Sequence, residues 1–262
     1  MFIPTILAIL LAANTAFGAP TPFGFGSFGN FSGFGSFGNP QPGSGKPPGP
    51  FGSSHGSLCP VSNATLTLPQ GQTALTLPQG SPVFIGVAMG TQNYTCDSTG
   101  KNTTYNGAFA KLFDISCFVN TPMFAGIQDK VFEAVGDAKG QDLINKVLSV
   151  VPTCPMGLGD HFHIANPVPG STGLSPVWDF RTAVKKDDPN GYITAKEAGS
   201  LDSPAGPSNI KWVRLDNIGG QFGGSLASTV MRVDTKGGQP PSTCKPGEQI
   251  ITPYATKYWL FK

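Results

Sequence analysis

The sequence predicts a mainly β domain: an antiparallel β-sandwich or barrel with a two-helix insertion. Three observations predict it. Short apolar or alternating runs, punctuated by Gly, Pro and Asn, recur from Leu66 to Phe261. Two neighbouring stretches in the middle carry apolar residues at helical spacing instead. No glycine fingerprint of a parallel nucleotide-binding sheet occurs among these runs.

In chain order, Thr5 to Ala13 form a short apolar run followed by small residues, with Ala16 and Gly18 set for cleavage after Gly18. This is the layout of a secretory signal peptide over residues 1–18, far short of the roughly 20 apolar residues needed to span a bilayer. Residues 19–57 are built from Phe, Gly, Pro and Ser, and the unit Gly24-Phe25-Gly26-Ser27-Phe28-Gly29-Asn30 returns nine residues on, from Gly33 to Asn39. Such a composition has little apolar area to offset its ordering entropy, so a flexible leader is expected. Its Gly24-x-Gly26-x-x-Gly29 spells a dinucleotide motif but lacks the strand before and the helix after that the chemistry needs.

The folded domain is expected over residues 58–262. Leu66-Thr67-Leu68-Pro69-Gln70-Gly71 and Leu75-Thr76-Leu77-Pro78-Gln79-Gly80 each read as a short strand and turn. Further strands are expected at Val83–Met89, Gln92–Cys96, Ala108–Phe113, Val177–Val184, Tyr192–Lys196, Ile210–Leu215, Ser228–Val233 and Tyr254–Phe261. Helical spacing joins Ile127, Val131, Phe132 and Val135, and then Leu143, Ile144, Val147, Leu148 and Val151, before Pro152 stops the second helix.

Charge argues against several partners. Seventeen basic and fifteen acidic residues leave +2 without a basic block, so neither a nucleic-acid nor a membrane-surface site is indicated. Four sequons, at Asn30, Asn63, Asn93 and Asn102, fit an exported glycoprotein, the last three near turn-like residues. Five cysteines, Cys59, Cys96, Cys117, Cys154 and Cys244, should pair outside the cell and leave one over. No Cys-x-x-Cys spacing supports a zinc ribbon or a redox motif.

Several runs together resemble a known family. They are Gly90-Thr91-Gln92-Asn93-Tyr94-Thr95-Cys96, Gly107 through Cys117, Leu158-Gly159-Asp160-His161-Phe162 and Pro176-Val177-Trp178-Asp179-Phe180. Ile210 through Leu215, Arg232 through Pro241, and Tyr254-Ala255-Thr256-Lys257-Tyr258-Trp259 continue the match in order. The chain from Cys59 onward is thereby similar to a secreted fungal and bacterial family of unknown function, whose fungal members are often labelled malate dehydrogenase. The resemblance implies a small secreted β domain and brings no established chemistry. A malate enzyme needs a Rossmann nucleotide site and an Arg–His–Asp constellation, so that label is set aside. The resemblance also excludes Cys154 from the family's pattern, which implies two bridges among Cys59, Cys96, Cys117 and Cys244.

Candidate chemistry is sparse. Asp160-His161-Phe162-His163 would put both histidines on one face of a strand, a spacing suited to a divalent metal, with a carboxylate such as Asp160, Asp179 or Asp234 to complete it. Three or four ligands are needed, and the remaining histidine, His55, lies in the leader. A double-cupin site and an N-terminal copper brace both lack their residues. Lys186 to Glu197 mimics a calcium loop, but Lys186 stands where the first carboxylate belongs. A Pro189-Asn190-Gly191 turn between strands explains those letters. No Gly-x-Ser-x-Gly elbow appears, and Glu133, Glu197 and Glu248 are the only glutamates. Trp178, Trp212, Trp259, Tyr254 and Tyr258 could stack on cell-wall polysaccharide if displayed, or fill the core if buried. The expectation is therefore a noncatalytic extracellular module without a cofactor, acting at a wall, a matrix or a host surface. The alternative is a metal-assisted extracellular enzyme using His161 and His163.

Overall fold

The computed structural model describes residues 57–151 and 157–262. The signal peptide, nearly all of the leader, Asn30, Pro152 and Cys154 lie outside the described residues.

Eight strands follow one another as an antiparallel meander and close on themselves: β1 (Pro82–Cys96), β2 (Thr103–Asp114), β3 (Gly157–Ala165), β4 (Leu174–Asp179), β5 (Tyr192–Leu201), β6 (Trp212–Asn217), β7 (Thr229–Gly237) and β8 (Gln249–Phe261). Closure comes from β8 pairing back on β1, with Ile85 opposite Trp259 and Gly90 opposite Tyr254. Of the two sheet architectures expected, the closed barrel forms. Between β2 and β3 the chain makes α1 (Pro122–Ala125), α2 (Ile127–Val135) and α3 (Gly140–Val150), and a single turn, α4 (Gly220–Gly223), precedes β7.

Strand alternation sorts side chains into two cores. Phe84, Ala88, Ala110, Leu112, Trp178, Ile193, Val230, Tyr254, Tyr258 and Leu260 point into the barrel. Ile85, Val87, Met89, Met231, Val233, Trp259 and Phe261 point out, where Ile127, Val131 and Val135 of α2 and Val147 of α3 cover them. The spacing of the α2 residues is the helical stripe read in the sequence, and it buries against β1, β7 and β8.

Before β1, residues 57–81 run along the barrel as a strap. The backbone N–H of Leu58 donates to Asp114 Oδ2 at 2.7 Å and that of Cys59 to Ser116 Oγ at 2.9 Å. The Leu-Thr repeats are not strands, contrary to expectation. Leu66 and Leu75 are buried in the outer core, but no ladder holds them. The prolines remove donors, and a closed barrel offers no edge to join. The strand expected over Val177–Val184 also ends early, at Asp179. There the Asp179 carboxylate accepts the backbone N–H of Arg181 at 2.9 Å and turns the chain. The connection on to β5 is a run of turns, with Asp188 Oδ1 accepting the Asn190 N–H. β5 takes up the second half of the calcium-like stretch from Tyr192 on, so no helix stands on either side of it.

Disulfides join Cys59 to Cys117 and Cys96 to Cys244. The first fastens the strap beside the start of the helical insertion, and the second fastens the end of β1 to the β7–β8 loop.

One charge lies inside the outer core. Lys257 is 1% exposed and its ammonium reaches Asp234 Oδ2 at 2.8 Å, the Ala125 carbonyl at 3.0 Å and the face of Phe124. Asp234 occupies a bulge with φ of 50°, a conformation that Asn also tolerates. Replacing Asp234 by Asn should therefore strand the ammonium and cost about 2 kcal/mol, because one partner of a buried pair is removed. Adding Lys257→Met should recover most of that loss in urea unfolding. A double variant no more stable than Asp234→Asn would refute this account of the pair.

Candidate functional site

The two ends of the barrel interior differ in chemistry. Around Phe84, Leu112, Leu158, Phe180, Ile193, Val230 and Leu260 the lumen is packed with apolar side chains, and Phe84 meets Phe180 edge to face at 5.1 Å. Toward the other end the inward positions turn polar and aromatic. β1 supplies Gln92 and Tyr94, β2 Tyr105, β3 His161 and His163, β4 Trp178, β7 Arg232, and β8 Tyr254 and Tyr258.

These groups are closely spaced. The His161 ring stacks on Trp178 with centroids 4.4 Å apart and stands 5.2 Å from His163 and 5.4 Å from Tyr258. Its Nδ1 lies 2.9 Å from the Val177 carbonyl, so Nδ1 carries the proton and Nε2 keeps a lone pair. His163 has the opposite tautomer. The Ala108 N–H donates to its Nδ1 at 3.1 Å, which leaves Nε2–H facing the Tyr105 hydroxyl at 3.3 Å. Tyr94 donates to the Gly238 carbonyl at 2.8 Å, and the Tyr254 and Tyr258 hydroxyls are 3.4 Å apart.

Burial keeps every one of these rings neutral. It pushes the phenols of Tyr94, Tyr254 and Tyr258 up, Tyr94 to about 12. It holds His161 well below its ordinary value, with neighbouring His163 adding to the effect, and it lowers His163 to about 4. Gln92 is 2% exposed and its Nε2 has no hydrogen-bond partner, nor does the indole Nε1 of Trp178. Tyr105, 38% exposed, stands at the mouth, where Val168 and Leu174 of the β3–β4 turn are also exposed.

A family model for a protein of unknown function, DUF3455, matches residues 78–262. The chain belongs to the DUF3455 family. The match takes in all eight strands of the barrel and both polar and apolar ends of its lumen. No curated protein and no solved structure matches the chain.

The DUF3455 barrel redistributes the residues singled out from sequence. His161 and His163 do share a face, inside the lumen. Asp160 lies on the opposite face, where Lys111 pairs with its Oδ1 at 2.5 Å and Thr182 approaches its Oδ2. Among the described residues no three His, Cys, Asp or Glu side chains are grouped so as to hold a metal. The five aromatics considered as a sugar platform are all buried. Trp178, Tyr254 and Tyr258 fill the lumen and Trp212 and Trp259 the outer core. No displayed face remains for them to form, because both surfaces of β8 are covered. Of the sequons, Asn63 is exposed in a turn and Asn102 is exposed with its amide on Asp97, whereas Asn93 is half-buried within β1 rather than near a turn.

Sequence reasoning missed Gln92, Tyr94, Tyr105 and Arg232. For Gln92, Tyr94 and Tyr105 the available signal was a polar or phenolic residue in strands whose other inward residues are apolar; Arg232 carried none.

The neutral histidines give the fold a pH dependence. Both rings take an ordinary pKa near 6.5 in the unfolded chain, so that chain binds their protons first as pH falls. Their contribution to stability is full above about pH 6.5 and is lost as pH drops toward 4, at about 1.4 kcal/mol per pH unit for each ring. Urea unfolding at several pH values should therefore show a shallower acid loss for His163→Gln than for the natural chain. Equal slopes would mean that His163 is not held neutral.

Proposed function

We propose that this DUF3455 chain is an exported, noncatalytic binding module that acts outside the cell, at a wall, a matrix or a host surface. Its ligand enters the polar end of the barrel lumen. The observation that carries this reading is the Gln92 amide, whose Nε2 is buried in that lumen with no partner. An unpaired buried donor costs about 1–3 kcal/mol, a cost that a bound acceptor removes. Eight strands enclose a lumen wide enough for side chains or one small ligand, and binding sites combine apolar walls with a few convergent polar groups. The two disulfides fit an oxidising compartment. No helix among the described residues is long and apolar enough to cross a membrane.

The shared lumen position of His161 and His163, both neutral and 5.2 Å apart, supports one further reading, a metal-assisted extracellular enzyme. Neutral imidazoles are the form that ligates metals. Any further ligands would have to come from water or substrate, since Asp160 faces away.

Two measurements test export and separate these readings. Material recovered from the medium should begin at or near Ala19 and lose mass on deglycosylation, with Asn63 the foremost acceptor. An intact Met1 or an unchanged mobility would count against export by this route. Elemental analysis of the same material should show no stoichiometric metal, and one equivalent of copper, zinc or manganese would transfer the assignment to the enzyme. For binding, the Trp178 indole N–H resonance should move on titration with small aromatic fragments while those of Trp212 and Trp259 stay in place. If Trp178 is silent to charged and neutral fragments alike, the lumen is a packed core and not a site.

A further inference from the structure

We infer that the polar end of the lumen binds a small organic anion, a carboxylate in the first instance, with Arg232 as its counter-charge. This inference rests on the lumen being a binding site and adds the chemical class of the ligand.

The direction of β7 places Arg232. Val230 points into the barrel and Met231 and Val233 point out to the helices, so Arg232 shares the inward register. An arginine at an inward position of a barrel needs an anion or an open path to water, because its guanidinium stays charged. Here Nε and Nη2 rest on the Lys211 carbonyl at 3.2 and 3.1 Å, and the guanidinium also reaches the Tyr258 hydroxyl. A carbonyl and a phenol solvate the charge without neutralising it. None of the ion pairs among the described residues includes Arg232. By contrast Arg181 and Arg214, on the outer surface, each hold a carboxylate two residues away.

The groups that feel the Arg232 charge are Tyr94, Tyr105, His161, His163, Tyr254 and Tyr258. Every one is neutral, so this end of the lumen carries a net positive charge that no ring there compensates. The unpaired Gln92 Nε2–H is a second and independent donor, on an inward position of β1. Trp178 Nε1–H adds a third donor, though the indoles of Trp212 and Trp259 in the outer core are unpaired as well, so Arg232 and Gln92 carry the reading. A guanidinium, an amide N–H and an indole N–H, with phenols free to rotate their hydrogens, make a set rich in donors. Its complement is an acceptor-only group with two oxygens, which describes a carboxylate. The stacked His161 and Trp178 rings and the small side chains of Ala88, Ala108 and Ala110 give the remainder of the ligand an apolar wall. A cation would leave these donors unanswered, and a neutral sugar could accept from them but would leave the guanidinium without a counter-charge.

The test compares benzoate with benzamide, which share shape and differ in charge. Each is titrated into the whole exported protein while the Trp178 indole resonance is followed. Benzoate should move that resonance and bind about tenfold tighter than benzamide, as a charge-assisted bond exceeds a neutral one. Arg232→Gln should abolish the preference, and Arg232→Lys should keep part of it, because the charge remains without the planar fork. Equal binding of the two probes would overturn the anion assignment and leave the lumen reading standing. A benzoate preference that survives in Arg232→Gln would overturn the role of Arg232. Silence of Trp178 to both probes would overturn this inference and the lumen reading together. If Arg232→Gln does not fold, the benzoate-to-benzamide ratio of the natural chain decides the matter with Arg232→Lys.

Discussion

The pairing of β8 with β1 is the constraint on which the rest of the molecule depends. Strands from the two ends of the domain meet along nearly their whole lengths, from Pro82 opposite Phe261 to Thr95 opposite Gln249. Every strand then has two neighbours, and no row of backbone N–H and C=O groups is left at an edge. Closure also fixes what each face must bury. Inward residues of all eight strands share one lumen, while the outward faces of β1, β7 and β8 are too apolar for water. The helices inserted between β2 and β3 cover that outer patch, and the strap of residues 57–81 covers part of what remains. Lys257 is buried for the same reason. It sits at an outward position of β8, beneath α1 and α2, where Asp234 and the Ala125 carbonyl take up its hydrogens.

A single lumen with two chemistries separates packing from the proposed binding site within one barrel. The apolar end, around Phe84, Phe180 and Leu260, contributes burial and little else. The end lined by Gln92, His161, His163 and Arg232 holds neutral histidines, a charge without a counter-ion and an amide without a partner. Each of these lowers stability relative to an aliphatic core. Residues that could have been leucine and are not must be accounted for by what they meet, and they meet one another in a single place.

Legibility followed the same division. The helices were readable because Ile127, Val131 and Val135 place apolar groups at one spacing against polar neighbours. β8 was readable from Tyr254 to Phe261, since both of its faces are apolar. β3 was not among the strands picked out by alternation, and its residues show why. Its inward positions are His161 and His163, while Phe162 and Ile164 face outward, so the apolar rhythm is inverted where the lumen turns polar. β1 was expected as two strands, Val83–Met89 and Gln92–Cys96, because Gly90 interrupts the run. It is one strand, in which a Cβ at Gly90 would collide with the Phe109 carbonyl and Ala110 of β2. The histidine pair could be found from its spacing, but Arg232 could not, because inward and outward arginines look alike until the register is known. The Leu-Thr repeats failed for the opposite reason. Their alternation is that of a strand, but a closed barrel has no place for another one.

The covalent links reinforce this arrangement at both ends. Cys59–Cys117 ties the strap down where β2 leaves the barrel for the helices, at the apolar end. Cys96–Cys244 binds the last residue of β1 to the β7–β8 loop, four residues beyond Gln92 and two beyond Tyr94. The backbone repeats that link, with the Cys96 N–H on the Glu248 carbonyl and the Gly247 N–H on the Cys96 carbonyl. A mouth whose inward side chains are under-satisfied would otherwise be where the barrel opens first, since local opening begins where buried apolar contacts are fewest. Fixing the end of β1 to the start of β8 there keeps Gln92 and Tyr94 in place ahead of the proposed ligand. Preorganisation of that kind lowers the entropy lost on binding and favours a rigid site over one that must assemble. The disulfide at the polar end thus stands in for the packing that its side chains do not provide.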